Sequence, residues 1–367
     1  MMERSAKGHH RQISKIGTAV ANRGEKAWGA IPTTATIDGN AVAIPVGLAC
    51  GMKPGKTLLL LAGQHCGELN GMEVIRRTFD AVDVRKLRGR LIVLPVANPL
   101  QIKWPLNREN PHWLKEVADL FKVNMNRVWP GKRNGNAVER MAYAMSRVFP
   151  EVDCLIDFHT WSSQYPAAIV KKGFAAGLRL ARHSGIGAVA LEEPDSLVGG
   201  LKDLQMYASR KLGIPAMTVE LPENRVLTEK NIQLGLKVVQ NTMRHLKMLP
   251  GKPEPNPQQF FITYNKHFHE IRPTAEGLFV PLKDLGELVA KGELLGRIYS
   301  MDTFRPVQDL GSPVSGVLFA FSDVDCATNI LRRGERAALV YELAITASGR
   351  ARAPGADARR KTGQAKA

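Results

Sequence analysis

TLLLLAGQHCGELNGMEVIRR, residues 57–77, decides how the rest of the chain is read. Its opening TLLLLAG (57–63) is a near-continuous apolar run, the pattern of a strand covered on both faces. From residue 70 to 79 the apolar spacing changes to that of an amphipathic helix. His65 and Glu68 lie between the two, in the turn after the strand, where side chains converge at the carboxyl edge of an open sheet and where such proteins bind ligands. Working outward, the same alternation recurs. RLIVLPVAN (90–98), DCLIDFH (153–159) and PAMTVEL (215–221) read as further buried strands. Helical signals fall at 70–79, 137–148, 175–183, 196–211 and, with Thr228 as a candidate N-cap, 228–247. The expected fold class is α/β, with a mixed, largely parallel sheet flanked by helices.

LPGKPEPNPQQF (249–260) concentrates Pro, Gly and Asn with little to bury, which marks a domain boundary. Beyond it, GLFVPL, GELLGRIYS, GSPVSGVLFAF and GERAALVYEL are short β-like runs separated by turns, so a second, all-β unit is expected. The expected divisions are a basic N-terminal extension (1–28), a catalytic domain (29–252), a C-terminal β domain (258–346) and a basic tail (347–367) with the composition of a disordered segment. GELVAKGELLGRI (286–298) and SPVSGVLFAFSDVDCATNILRRGERAALV (312–340) resemble the two halves of a lipoyl or biotinyl barrel-sandwich domain. Those carriers modify a lysine in a DKA or MKM setting, and none stands near Asp302 or Thr303. A structural or interface role is expected instead.

Composition narrows the function classes. No stretch approaches the roughly 20 apolar residues of a membrane span, and the N-terminus lacks a secretory signal pattern, so a cytoplasmic protein without membrane partners is expected. Cys50, Cys66, Cys154 and Cys326 lie far apart with no CxxC pair, which argues against a disulfide framework or a cysteine-type zinc site. The net charge of +17 invites a nucleic-acid reading. Much of it sits at the two ends, around Arg4, Lys7, Arg11 and Lys15 and around Arg350, Arg352, Arg359, Arg360, Lys361 and Lys366, with no recognisable binding motif. Specific nucleic-acid recognition is therefore not expected.

His65 and Glu68, three apart on a turn, can reach one cation, and Zn²⁺ accepts imidazole nitrogen and carboxylate oxygen at similar distances. A catalytic site of the two-His, one-Glu type needs a third protein ligand. His159 supplies it, at the carboxyl end of CLIDFH and followed by small polar residues. Asp157 shares a strand face with His159 and either orients the imidazole or accepts a backbone amide. Glu220, at the end of MTVEL, reads either as a general base toward a water on the metal or as a salt-bridged strand-end acid. In loops dense in Asn, Pro and Gly, Arg127 beside Asn126 is suited to clamp a carboxylate and Arg108 to face an oxyanion; either arginine also fits a solvated surface. Trp104, Trp113, Trp129 and Trp161 flank these loops, as pocket walls or as packing anchors. His267 and His269 have no acidic or Cys companions and read as surface residues.

GQHCGE, NMNRVWPG, DFHT and TVEL, in that order, resemble the GxHGxE, DxNRxFPG, DLHT and catalytic-glutamate motifs of the succinylglutamate desuccinylase/aspartoacylase family, which belongs with zinc carboxypeptidases. The resemblance spans about residues 30 to 345. It implies a zinc-carboxypeptidase-like fold with one Zn²⁺ per subunit held by His65, Glu68 and His159. It further implies Glu220 as general acid/base, Arg108 as the oxyanion arginine, and Asn126 with Arg127 as binders of the substrate carboxylate. Cys66 departs from the usual glycine and adds a side chain near the metal. Asn124 departs from the usual aspartate and removes a charge beside the carboxylate site. Arg210 matches an aspartoacylase substrate arginine in spacing but fits an exposed helix position better.

The reading that results is a zinc-dependent amidohydrolase acting on a small N-acyl amino acid. The alternatives are a metallocarboxypeptidase built from the same parts and a non-catalytic binding protein on the same fold. The acyl group, the amino acid and the oligomeric state, a homo-oligomer included, are left open.

Overall fold

The computed structural model describes residues 13–37, 39–103, 106, 109, 123–193, 202–322 and 329–344 of the 367-residue chain. The chain opens with β1 (Ile13–Ile16), β2 (Ala19–Asn22), β3 (Lys26–Ile37) and β4 (Asn40–Cys50). Residues 13–28, expected as an extension, are thus part of the folded domain. Their period-2 pattern is short and weakly apolar, with Ser14, Ile16, Ala19 and Ala21 buried and Ile13, Lys15, Val20 and Asn22 exposed.

Next come β5 (Lys53–Leu61), α1 (Leu69–Ala81) and β6 (Arg88–Leu94). After them lie α2 (Ala137–Ser146), β7 (Cys154–Thr160), β8 (Ala167–Lys171), α3 (Ala175–His183), β9 (Ala188–Glu192), β10 (Ala216–Leu221), α4 (Glu229–His245) and β11 (Phe260–Thr263). One nine-stranded sheet runs β11-β9-β8-β10-β7-β5-β6-β4-β3. Its centre is parallel, β10 with β7, β7 with β5 and β5 with β6, while β8 runs antiparallel to β10 and β4 to β6. The mixed, largely parallel sheet read from the sequence is present. β11 lies beyond the expected boundary yet completes this sheet by pairing with β9. Of the helix expected over 196–211, residues 196–201 lie outside the described residues. The remainder forms one short turn, Leu204–Met206, followed by wider helical turns over Tyr207–Lys211.

Period 2 in β5 sets the layers. Leu58 and Leu60 pack with Val74, Ile75 and Phe79 of α1 and with α3 and α4, while Leu59 and Leu61 pack with Val138, Met141 and Met145 of α2. All four leucines are fully buried, each worth about 1.5–3 kcal/mol relative to exposure. α1 approaches the sheet through Gly71, where an added Cβ would stand 2.4 Å from Cβ of Phe158. α2 is closed at its start by a reciprocal capping box between Asn136 and Glu139.

The C-terminal unit stacks two four-stranded sheets. One contains β12 (Phe268–Ile271), β14 (Leu288–Val289), β17 (Gly316–Phe321) and β19 (Ala338–Tyr341). The other contains β13 (Gly277–Pro281), β15 (Leu294–Tyr299), β16 (Pro306–Gly311) and β18 (Ile330–Leu331). The two sheets share a core around Phe279, Leu295, Ile298, Leu318 and Val340. Trp161, Ala167 and Ile262 of the first unit pack on Val317, Phe319 and Tyr341 of the second. Backbone bonds from Tyr165 N to Phe319 O and from Phe321 N to Ser163 O pin the loop after His159 to β17. No helix among the described residues is long and apolar enough to cross a membrane.

Candidate metal and catalytic centre

The three central strands deliver the site. β5 leads into the turn that carries His65 and Glu68, β7 ends near His159, and β10 ends near Glu220. The β10–β7 register sets Glu220 opposite His159, and the β5–β7 register sets Leu61 opposite Asp157. Gly67 (φ 94°) turns the chain between the two β5-side residues. A side chain at that position would also meet Asn224 and Arg225. The left-handed residue is therefore Gly67, and Cys66 is accommodated beside it, half-buried, its thiol pKa raised by burial against the opposing charge of Arg225.

His65, Glu68 and His159 each offer one ligand atom, and these atoms lie within 4.8 Å of one another. Glu68 is 8% and His159 3% exposed. His65 Nδ1 stands 3.0 Å from Glu68 Oε1, and His159 Nδ1 stands 3.0 Å from Glu68 Oε2. Glu68 Oε2 is buried and receives no aligned hydrogen bond despite that proximity. Two inward-facing Nδ1 atoms and an orphaned carboxylate oxygen are the donor set a tetrahedral cation with one open position accepts, so the residues fit a zinc ion.

The outward nitrogens are held as metal-binding histidines require. His159 Nε2 is 2.9 Å from Asp157 Oδ2, and Asp157 is fully buried. Gln64 Nε2 donates to the same carboxylate at 2.9 and 3.1 Å, and Trp129 Nε1 donates to Gln64 Oε1 at 3.0 Å. Of the two sequence alternatives for Asp157, orientation of the imidazole is the one observed. Assigning the Nε2 proton to the bond with Asp157 leaves Nδ1 as the free lone pair. His65 Nε2 is 2.9 Å from Asn124 Oδ1. Asn124 therefore stands behind His65, and its amide oxygen also accepts from Asn126 N at 2.8 Å. Asn124, which stands in place of the motif's aspartate, thus touches both His65 of the candidate metal site and Asn126 of the expected carboxylate site.

Charges are strongly coupled here. Burial alone would raise the Glu68 pKa, but His159 and His65 outweigh it and bring it down to about 2. Burial disfavours a charged His159, yet Asp157 and Glu68 hold its pKa well above the usual histidine value. Glu220 moves the other way: burial, less the pull of His159 and with the push of Glu68, raises it to about 7.

Asn126 Oδ1 accepts from Leu204 N at 2.8 Å, and its Nδ2 lies 3.4 Å from His159 Nε2. Since that nitrogen donates to Asp157, the Asn126 amide hydrogens stay available. Arg127 Nη1 donates to Asn126 O at 2.7 Å and forms no described ion pair, so its guanidinium keeps donors for a ligand. Arg108, Trp104 and Trp113 lie outside the described residues. Trp129 and Trp161 are 2% and 6% exposed and are packing anchors. Arg210 is exposed, and among the described residues it donates to Lys172 O alone. His269 pairs with Glu342, and His267 is exposed.

The sequence reading missed Gln64 and a buried triad. Lys171, 1% exposed, donates to Glu192 and, at 3.1 Å, to Asp203, whose other oxygen caps Met206 N. That cap fixes the segment holding Leu204 N against Asn126. A lysine closing the apolar run AAIVK was the available signal.

The catalytic domain of the succinylglutamate desuccinylase/aspartoacylase family matches residues 54–246, more than half of the chain. The chain belongs to this family. The N-α-acetyl-L-2,4-diaminobutyric acid deacetylase of Halomonas elongata is 24% identical over 289 residues, which cover 76% of this chain and 77% of that protein. A succinylglutamate desuccinylase from Silicibacter sp. TM1040 superposes with a TM-score of 0.67 at 21% identity, over 87% of this chain and 95% of its own. The product-bound ectoine utilization protein EutE (DoeB) from Ruegeria pomeroyi gives 0.67 at 21% identity, over 90% and 98%. Both structures share the fold. The family's name and that of the Halomonas elongata relative denote deacylases, which supports amide hydrolysis as the family chemistry.

Proposed function

We propose that this protein is a zinc-dependent deacylase that hydrolyses the amide bond of a small N-acyl amino acid. The observation that carries the proposal is the convergence of His65, Glu68 and His159 with Glu220 in register beside His159. A metal-site donor set with a raised-pKa carboxylate one strand away is the equipment of metal-assisted hydrolysis. A zinc ion held by His65, Glu68 and His159 would polarise the amide carbonyl and make water acidic enough to attack near neutral pH.

The protein's own groups do the rest. Glu220, with a pKa near 7, takes a proton from the attacking water and returns it to the leaving amine nitrogen. Asn126 and Arg127 hold the substrate carboxylate, the amide preset by Leu204 N and the guanidinium without an ion pair among the described residues. Arg108 is assigned to the developing oxyanion on its resemblance to the family's oxyanion arginine. Asp157 and Asn124 keep both imidazoles in the tautomer that leaves Nδ1 unprotonated. The deacetylase from Halomonas elongata supports an N-acetyl amino acid as the first substrate to try.

The test is hydrolysis by zinc-loaded protein of acetyl-, succinyl- and formyl-amino acids against short peptides. Amine release from an acyl amino acid, lost in Glu220→Gln, supports the proposal. Cleavage confined to peptides would make the protein a carboxypeptidase, and zinc binding without any hydrolysis would make it a binding protein.

A further inference from the structure

We propose a second ligand site, unrelated to the metal centre: the groove between β3 and α2 binds a small molecule carrying a diphosphate group. The groove has a volume of about 380 Å³, within the range of small-ligand pockets. Arg133, Arg140 and Arg147 line it together with Tyr143, and Thr33 and Thr34 of β3 close the opposite side. Arg140 lies on α2 and Arg147 caps its end seven residues later, two turns of helix, so both side chains leave from one face and both line the groove.

Among the described residues these guanidiniums have no counter-charge. Several arginines elsewhere are matched: Arg76 and Arg77 share Glu73, and Arg85 pairs with Asp83. Even Lys132, adjacent to Arg133, pairs with Glu139. Among the described residues no carboxylate lines the groove, and none pairs with Arg133, Arg140 or Arg147. Arg140 is only partly exposed, and its Nε is buried without any hydrogen-bond partner. A buried guanidinium donor left unmatched, beside two like charges, is unfavourable unless a ligand supplies acceptors.

Charge and shape select the ligand class. Guanidinium forks match phosphate oxygens bidentately. One phosphate, with roughly −1.5 to −2 charge, would leave a guanidinium unmatched, whereas two linked phosphates offer oxygens to all three. Tyr143 lines the same groove and adds aromatic surface beside the guanidiniums. Inorganic diphosphate and a nucleoside diphosphate share the required chemistry.

Calorimetric titration of the full zinc-loaded chain with pyrophosphate, ADP and a single-stranded oligonucleotide, in about 0.15 M salt, tests the proposal. Saturable one-to-one binding of pyrophosphate or ADP is expected, weakened at least tenfold in R140Q/R147Q with the thermal midpoint of the unliganded protein unchanged. Tighter binding of ADP would point to a nucleotide, and equal binding to diphosphate alone; both support the site. R147E, at an exposed position, provides a second variant if the double substitution misfolds, and it too must weaken binding. No binding up to millimolar ligand overturns the proposal. So does binding that both variants leave unchanged, since the anion then sits on the basic ends or the metal. Binding of the oligonucleotide with neither diphosphate also overturns it.

Discussion

Replacing Asp157 by asparagine tests whether the support behind His159 sets metal affinity. The carboxylate is fully buried and accepts His159 Nε2 at 2.9 Å and Gln64 Nε2 at 2.9 and 3.1 Å. Asparagine is isosteric but offers one acceptor and one NH₂. Whichever way the amide turns, its NH₂ meets either the His159 donor or the Gln64 donor. One buried donor is then unsatisfied, at about 1–3 kcal/mol. Loss of a partner behind a metal-binding histidine weakens metal by roughly 10- to 100-fold, or about 1.4–2.7 kcal/mol. The two routes agree at about 2 kcal/mol. Competition between the protein and a chromogenic zinc chelator reads the affinity directly, with thermal unfolding of the metal-free proteins as the fold control. Zinc affinity equal to that of the unaltered chain, in a folded Asp157→Asn protein, would refute both the tautomer assignment and the Nδ1 coordination.

Other expected outcomes bear on separate parts of the account. Glu220→Gln should keep its zinc and lose about 10²–10⁴ in kcat, measured by amine release. The Glu220 pKa of about 7 applies without a cation, and a cation favours the carboxylate. Catalysis needs the unprotonated form, so kcat/KM should rise with pH through a midpoint at or below about 7, and this limb should vanish in Glu220→Gln. Lys171→Met leaves Glu192 and Asp203, each 6% exposed, as neighbouring buried acids. Urea unfolding should show a loss of about 3–5 kcal/mol, and a smaller loss if Asp203→Asn is added. Gly71→Ala places a Cβ 2.4 Å from Phe158, so overpacking of about 1–3 kcal/mol should appear in the same assay.

Strands carrying long apolar runs were legible because burial on both faces writes the fold directly into composition. β5, β7 and β10 follow this rule, and with them came the strand ends that carry His65, His159 and Glu220. β1 and β2 were not legible: four-residue strands with alternate residues exposed leave only two buried side chains each, and three of those four, Ser14, Ala19 and Ala21, are small. β11 was lost for a related reason. It follows a Pro-rich connector, and its membership in the large sheet is decided by pairing with β9, a contact across about seventy residues that no local pattern encodes. Ligand identity could be read from residue type and turn placement. The positions of Gln64 and Asn124 behind the histidines could not, because a side-chain amide fits a solvated turn equally well. The triad of Lys171, Glu192 and Asp203 depends on three segments meeting, and only its lysine in an apolar run hinted at it.

The central claim is that a metal at His65, Glu68 and His159 drives amide hydrolysis assisted by Glu220. The most direct measurement is amine release from N-acetyl amino acids by the purified chain, stripped of metal by a chelator and then titrated with zinc. The account predicts no hydrolysis when stripped and full recovery at one zinc per chain, with neither seen in His65→Ala. Hydrolysis that survives stripping, or that persists undiminished in His65→Ala, would contradict it.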